Sequence, residues 1–141
     1  MSRIFFDTNL FIYLMEDDGV LGQRVVSLLE RISERRDEVI TSTLTLAEVL
    51  VRPLSEGDMV LAEKYKQLLN SPGVSMLAFD QSSAWAYAQL RKDKSIKAPD
   101  AIQLATAASA RCDLFLTNDE RLSRKIVPGI QFISSLERAM L

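Results

Sequence analysis

The chain has 141 residues, 48% hydrophobic and 26% charged, with 5 glycines and 4 prolines; that is one domain's length with enough apolar material for a core, and neither a disordered nor a fibrous composition. It holds no histidine and one cysteine, Cys112, which excludes histidine-ligated zinc, haem or non-haem iron, thiolate cages, internal disulfides, and Ser-His-Asp or Cys-His catalysis. A net charge of −2 excludes a strongly basic nucleic-acid footprint over the whole chain, so any such contact has to be local.

Taken in order, Ile4-Phe5-Phe6 is a short apolar run that stops at Asp7-Thr8-Asn9, and a helical pattern follows from Leu10. Apolar run, polar turn and helix predict a buried strand feeding a helix. Val20 to Arg35 carries Val25, Leu28, Leu29 and Ile32 at helical spacing. Val39-Ile40-Thr41 is strand-prone, and Leu44 to Val51 predicts a short apolar helix that includes Glu48. An amphipathic helix from Met59 to Asn70 ends at Ser71-Pro72-Gly73. Val74 to Phe79 reads as a strand, and Asp80 as the N-cap of a helix from Ser82 to about Arg91, with Trp85, Tyr87 and Leu90 expected to pack it. After the polar stretch Lys92 to Lys97, Pro99 suits the first turn of a helix running to Arg111. Leu114 to Thr117 is a fourth buried strand, Asn118-Asp119 opens a helix to about Ile126, Ile130 to Ile133 is a last strand, and Ser134 to Leu141 a closing helix.

No repeat, low-complexity segment or linker divides the chain, so one domain over residues 1–141 is expected. Strands alternating with helices predict an α/β domain with a mainly parallel sheet. No apolar run approaches the ~18–20 residues that span a bilayer. Asp7 interrupts the N-terminal apolar stretch, and no small-residue cleavage site follows. A soluble, cytoplasmic protein without membrane association is therefore expected.

Four acids fall at telling places on this scheme. Asp7 stands where the first strand ends and Asp119 where the fourth ends; ligands of an open parallel sheet bind beyond the carboxyl ends of its strands. Glu48 lies within the apolar run Leu44 to Leu50, where a buried carboxylate needs a partner. Asp100 sits in the first turn of an otherwise small and apolar helix. Converging carboxylates would repel one another, a conflict that a divalent cation resolves, and oxygen-only ligands suit Mg²⁺ or Mn²⁺. Such a site can activate water and stabilise charge on a phosphodiester. Each acid also has a bland reading: Asp7 and Asp119 as helix caps, Glu48 as the partner of Arg52 one turn on, Asp100 as a favourable charge at a helix start. Their shared location favours the common site.

Arg91, Lys92, Lys94 and Lys97 lead directly to Asp100. They are either a solvated loop or a contact for substrate phosphates, which Arg121, Arg124 and Lys125 would extend. Cys112, with no histidine to activate it, reads as a buried inert thiol. Asp37, Asp58, Asp93 and Asp113 read as loop or turn acids.

At Ile4-Phe5-Phe6-Asp7-Thr8-Asn9, Thr45-Leu46-Ala47-Glu48-Val49, Ala98-Pro99-Asp100-Ala101-Ile102-Gln103-Leu104-Ala105-Thr106-Ala107 and Phe115-Leu116-Thr117-Asn118-Asp119, the sequence resembles the PIN-domain ribonucleases of the VapC toxin type. The resemblance spans nearly the whole chain, with four motifs in the family's order. It implies a three-layer α/β/α sandwich, Rossmann-like, and Mg²⁺- or Mn²⁺-dependent RNA cleavage. Carried over by position, Asp7, Glu48, Asp100 and Asp119 would be catalytic and metal-ligating acids, with Asn9, Thr117 and Asn118 supporting them. It further implies a homodimer and inhibition by a small antitoxin.

Two alternatives stand beside this reading. A haloacid-dehalogenase-like phosphohydrolase would use Asp7 as a nucleophile, but usually carries a second Asp where this chain has Asn9; a receiver-like phosphoacceptor lacks its expected lysine. A PIN-like nucleic-acid or protein binding module would keep the acids without catalysis.

Overall fold

The computed structural model describes residues 1–139. Its elements run β1 (Arg3–Phe6), α1 (Thr8–Glu16), α2 (Val20–Arg35), β2 (Glu38–Ser42), α3 (Thr43–Ser55), α4 (Met59–Leu69), β3 (Val74–Leu77), α5 (Gln81–Leu90), α6 (Ala98–Ser109), β4 (Leu114–Thr117), α7 (Glu120–Ser123) and β5 (Phe132–Ser135). The five strands form one sheet in the order β3-β2-β1-β4-β5, and every neighbouring pair is parallel.

Parallel strands are covered on both faces, so their side chains are apolar in both directions. β1 shows this directly. Ile4 and Phe6 enter a core with Leu10 and Phe11 of α1, Val25, Leu28 and Ile32 of α2, Val49 of α3, and Tyr65 and Leu69 of α4. Phe5 points the other way, into a second core with Ile40, Phe115 and the α6 residues Ala101, Leu104 and Ala107. The rings of Phe5 and Phe115 stack across adjacent strands at 4.9 Å. The small residues of α6 let that helix lie close on the sheet, with Tyr87 and Leu90 of α5 packed against the same cluster. The result is a three-layer α/β/α sandwich.

From β1 the chain steps outward through β2 to β3, then returns to the other side of β1 for β4 and β5. The direction of winding therefore switches between β1 and β4, and a crevice opens there at the carboxyl ends of the strands. The register aligns Phe6 of β1 with Leu116 of β4, which sets Asp7 and the Thr117-Asn118-Asp119 turn beside one another.

Several local expectations are corrected. The closing helix over Ser134 to Leu141 is not formed: Ser134 and Ser135 belong to β5, where they pair with Leu116 and Thr117, and turns follow. Sheet pairing outweighs helix propensity there; residues 140–141 lie outside the described residues. α7 stops at Ser123 rather than Ile126. α3 runs on through Pro53 to Ser55, its turn closed by Glu56 N–H donating to Arg52 O at 3.0 Å. Trp85 does not pack its helix into the core but stands 77% exposed. Among the described residues no helix is long and apolar enough to cross a membrane.

Candidate active site

Asp7, Asn9, Glu48, Asp100 and Asp119 line one cleft of about 290 Å³, together with Thr8, Ile12, Pro99 and Gln103. The four acids reach it from four elements: the end of β1, the middle of α3, the first turn of α6, and the turn after β4.

Asp7 is the most tightly held. Its backbone N–H donates to Leu116 O at 3.0 Å. Its Oδ1 accepts from Thr8 N at 2.9 Å, capping α1, and its Oδ2 accepts from the Thr117 hydroxyl at 2.8 Å. Burial lifts its pKa from 3.8 to about 6, with Asp100 and Glu48 pushing the same way against those two hydrogen bonds. The Asp100 pKa is also raised, first by burial and then by the Asp119 charge, while Arg121 and Lys97 oppose the shift. Two carboxyls of the quartet are thus hard to ionise partly because the others are charged.

Glu48 is exposed to the cleft and accepts from the Thr8 hydroxyl at 2.6 Å. The alternative pairing with Arg52 does not form; that guanidinium goes to Glu16 on α1. Asp119 does cap α7, accepting from Arg121 N at 3.0 Å and Leu122 N at 3.1 Å. The capping readings of Asp7 and Asp119 therefore hold alongside their place in the cleft, since each carboxyl has a second oxygen or lone pair to spare.

Of the expected supporting residues, Asn9 is exposed at the cleft and Thr117 is buried beneath Asp7, its hydroxyl also accepting from Asp119 N at 3.1 Å. Asn118 turns away, donating to the Tyr13 hydroxyl at 2.7 Å. In the basic segment, Lys97 is close enough to influence Asp100. Arg91 reaches the Tyr87 hydroxyl at 3.4 Å instead, and Lys92 and Lys94 are exposed on the intervening turn. Lys125 is drawn to Asp93 at 2.9 Å. Arg121, expected in the phosphate-binding patch, lies on the acids themselves, 3.6 Å from Asp100 and 3.5 Å from Asp119.

A buried polar network beneath the cleft was not foreseen. Gln103 Nε2 donates to the Thr45 hydroxyl at 2.7 Å and the Thr8 hydroxyl at 3.2 Å, and its Oε1 accepts from the Ser42 hydroxyl. Thr41 donates to Thr45 at 2.9 Å or to Phe6 O at 3.0 Å. Gln103 ties α6 to α1 and α3 and so braces Thr8, which holds Glu48. The signal for it was a single amide in the small, mostly apolar α6 sequence.

Among the described residues no three acidic or cysteine side chains are drawn together into a finished metal cage. The donor chemistry nevertheless fits a hard divalent cation: the cleft's charged lining is carboxylate oxygen, and Asp7 and Asp100 carry repulsion that a cation would remove.

The family model for the PIN domain matches residues 4–126. The fold is similar to that of the Rickettsia felis VapBC2 complex bound to a DNA fragment from its promoter, with TM-score 0.77 and 16% identity over 94% of this chain and 98% of that one. It is similar to a toxin-antitoxin complex from Klebsiella pneumoniae, with TM-score 0.66 and 25% identity over 90% of this chain and 94% of that one. It is also similar to Mycobacterium tuberculosis VapC20, a sarcin-ricin loop cleaving toxin, with TM-score 0.66 and 16% identity over 87% of this chain and 96% of that one. No curated protein matches the sequence at a significant level.

Proposed function

The chain belongs to the PIN-domain family, and on that premise we propose that it is a single-domain, metal-dependent endoribonuclease, the toxin of a toxin–antitoxin pair. One observation carries the reading: Asp7, Glu48, Asp100 and Asp119 face a single cleft at the sheet's switch point, with Asp7 lifted to about 6 by burial and by its neighbours. Those four residues are the proposed holders of Mg²⁺ or Mn²⁺. When bound, the ion supplies a polarised water and charge neutralisation at a phosphodiester.

The chain's own residues do the rest. Thr117 and the Thr8 N–H fix both oxygens of Asp7, and the Thr8 hydroxyl fixes Glu48. Asn9 at the cleft wall offers an amide to the substrate. Lys97, with Arg91, Lys92 and Lys94 on the turn before it, offers positive charge to the RNA backbone. The antitoxin partner is supported by the VapBC and toxin-antitoxin complexes among the similar folds. Exposed Val51 and Leu54 of α3 and Met59 and Val60 of α4 leave apolar surface for such a partner or for a second copy in a two-fold dimer. A cytoplasmic location belongs to the same reading.

With no imidazole in the chain to act as general base on a ribose 2′-hydroxyl, the expected products carry 5′-phosphate and 3′-hydroxyl ends. The test is cleavage of end-labelled RNA, and turnover of a phosphatase dye, across Mg²⁺ and Mn²⁺ titrations with and without chelator. RNA cleavage that needs the metal, with the dye untouched, is the expected result. Cyclic-phosphate ends, or dye turnover without RNA cleavage, overturns it.

A further inference from the structure

We propose that Arg121 is a resident counter-ion of the acidic cleft, seated on Asp100 and Asp119 when no divalent cation is bound and displaced from them when one is. The inference rests on the metal-site reading above. One guanidinium nitrogen, Nη2, faces both carboxylates, 3.6 Å from Asp100 Oδ2 and 3.5 Å from Asp119 Oδ2. These separations lie at or beyond the limit of a hydrogen bond, so charge holds the arginine there rather than a paired donor–acceptor fork. The side chain is 44% exposed, and pairs so placed are weak enough to give way.

Two further contacts make the displacement local. Nη1 donates to the Ser95 carbonyl on the turn between α5 and α6. That bond involves neither acid, so it can keep the guanidinium at the mouth of the cleft after the carboxylates release it. Asp119 is held independently through its Oδ1, which accepts the Arg121 and Leu122 backbone N–H groups at 3.0 and 3.1 Å. Its position therefore does not depend on the arginine side chain. A guanidinium does not lose its proton in a protein, so a cation drawn to these carboxylates would have to compete with it for them. Arg121 thereby lowers the affinity of the empty cleft for metal, and a metal-filled cleft presents a freed guanidinium at its mouth, where a phosphate would meet it.

Lys125 provides the comparison. It sits just beyond α7, but its charge is turned to Asp93 at 2.9 Å and to the Ser95 hydroxyl at 2.7 Å. Mn²⁺ binding to the metal-free full chain is measured by the electron paramagnetic resonance signal of the free ion, at fixed ionic strength, for the wild type, Arg121→Gln and Lys125→Gln. Melting temperatures are recorded with and without Mn²⁺. Arg121→Gln is expected to bind Mn²⁺ roughly three- to tenfold more tightly, the scale of one or two exposed ion pairs. It should melt lower without metal and gain more on adding Mn²⁺, while Lys125→Gln binds like the wild type. Unchanged or weaker binding by Arg121→Gln, or equal tightening by Lys125→Gln, overturns the assignment of Arg121 alone. A wild type that binds no Mn²⁺ brings down the metal-site reading and this inference with it.

Discussion

Asp7 combines three tasks in one carboxyl group: it caps α1, accepts the Thr117 hydroxyl, and faces the other acids of the cleft. Asparagine caps a helix as well as aspartate does, so Asp7→Asn keeps the local structure and removes the charge. RNA cleavage is expected to fall by orders of magnitude while the fold survives; equal rates at saturating metal would reduce Asp7 to a cap. Asp100→Asn should behave alike, and Glu48→Gln and Asp119→Asn in the same direction. Asp58→Asn is a sounder control than Asp93→Asn: asparagine keeps the cap that Asp58 gives α4 by accepting from Leu61 N at 3.0 Å, whereas Asp93 holds Lys125 and Ser95 on the turn that carries the basic segment. Thr117→Val removes the hydroxyl that orients Asp7, and a loss of roughly 10- to 100-fold in metal affinity or cleavage is expected, as for other residues that orient ligands; isothermal calorimetry with Mn²⁺ and the RNA assay check it. Asp7, Asp100 and Asp119 were legible in the sequence because each sits at a strand end or a helix start, and Glu48 because it is a lone carboxylate within an apolar helical run. Arg121 and Gln103 were not legible in their roles, because what they touch is brought to them by segments distant in the sequence: Asp100 and the Ser95 carbonyl for Arg121, and Thr8, Ser42 and Thr45 for Gln103.

At the scale of elements, the apolar runs of the central strands β1 and β4 were enough to place them, since strands buried on both faces leave few polar positions to blur them, while the edge strand β5, with Phe132 exposed and two serines, lies two residues later than its apolar run suggested. Helix ends were less legible. β5 claims Ser134 and Ser135 from the expected closing helix, because pairing with β4 competes with helix formation over those residues, and α7 ends at Ser123, with Arg124 as its C-cap. The packing of α1 on α2 also hides in a single residue. Gly22 in the first turn of α2 lies so close to the preceding loop that a Cβ there would fall 1.7 Å from the Asp17 carbonyl oxygen and 2.8 Å from that of Tyr13. Gly22→Ala must therefore shift one helix against the other, and a loss of about 1–3 kcal/mol is expected in urea unfolding. Gln103→Leu tests the brace under the cleft. Gln103 is 2% exposed, and leucine would take one partner each from the Ser42, Thr8 and Thr45 hydroxyls in the core, at a cost of roughly 1–3 kcal/mol. An unchanged urea midpoint would show that the three hydroxyls re-pair without it.

For the whole molecule, the acids that serve the cleft work against the fold when no cation is present. Asp7 binds its proton more tightly in the folded chain, at about 6 against 3.8. A raised folded pKa means that its contribution to stability is fully present below about pH 3.8 and is lost as the pH climbs through about 6. The size of that loss is on the order of 3 kcal/mol, and Asp100 acts in the same direction. Asp80 and Asp93 act oppositely, since hydrogen bonds from Ser82 and from Lys125 and Ser95 lower their pKa values and favour the fold as pH rises. The raw stability profile therefore mixes both signs, and the decisive quantity is the difference between the wild type and Asp7→Asn, in which only the Asp7 proton is removed from the balance. In chelator, that difference should be small near pH 4 and grow in favour of Asp7→Asn up to pH 6–7, then level off. Adding Mg²⁺ or Mn²⁺ at pH 7.5 should raise the melting temperature of the wild type, because a ligand bound only by the folded state stabilises it, and should raise that of Asp7→Asn less. A difference that does not change with pH in chelator would mean that the Asp7 carboxyl is ionised throughout, and that the cleft tolerates its charges without a cation.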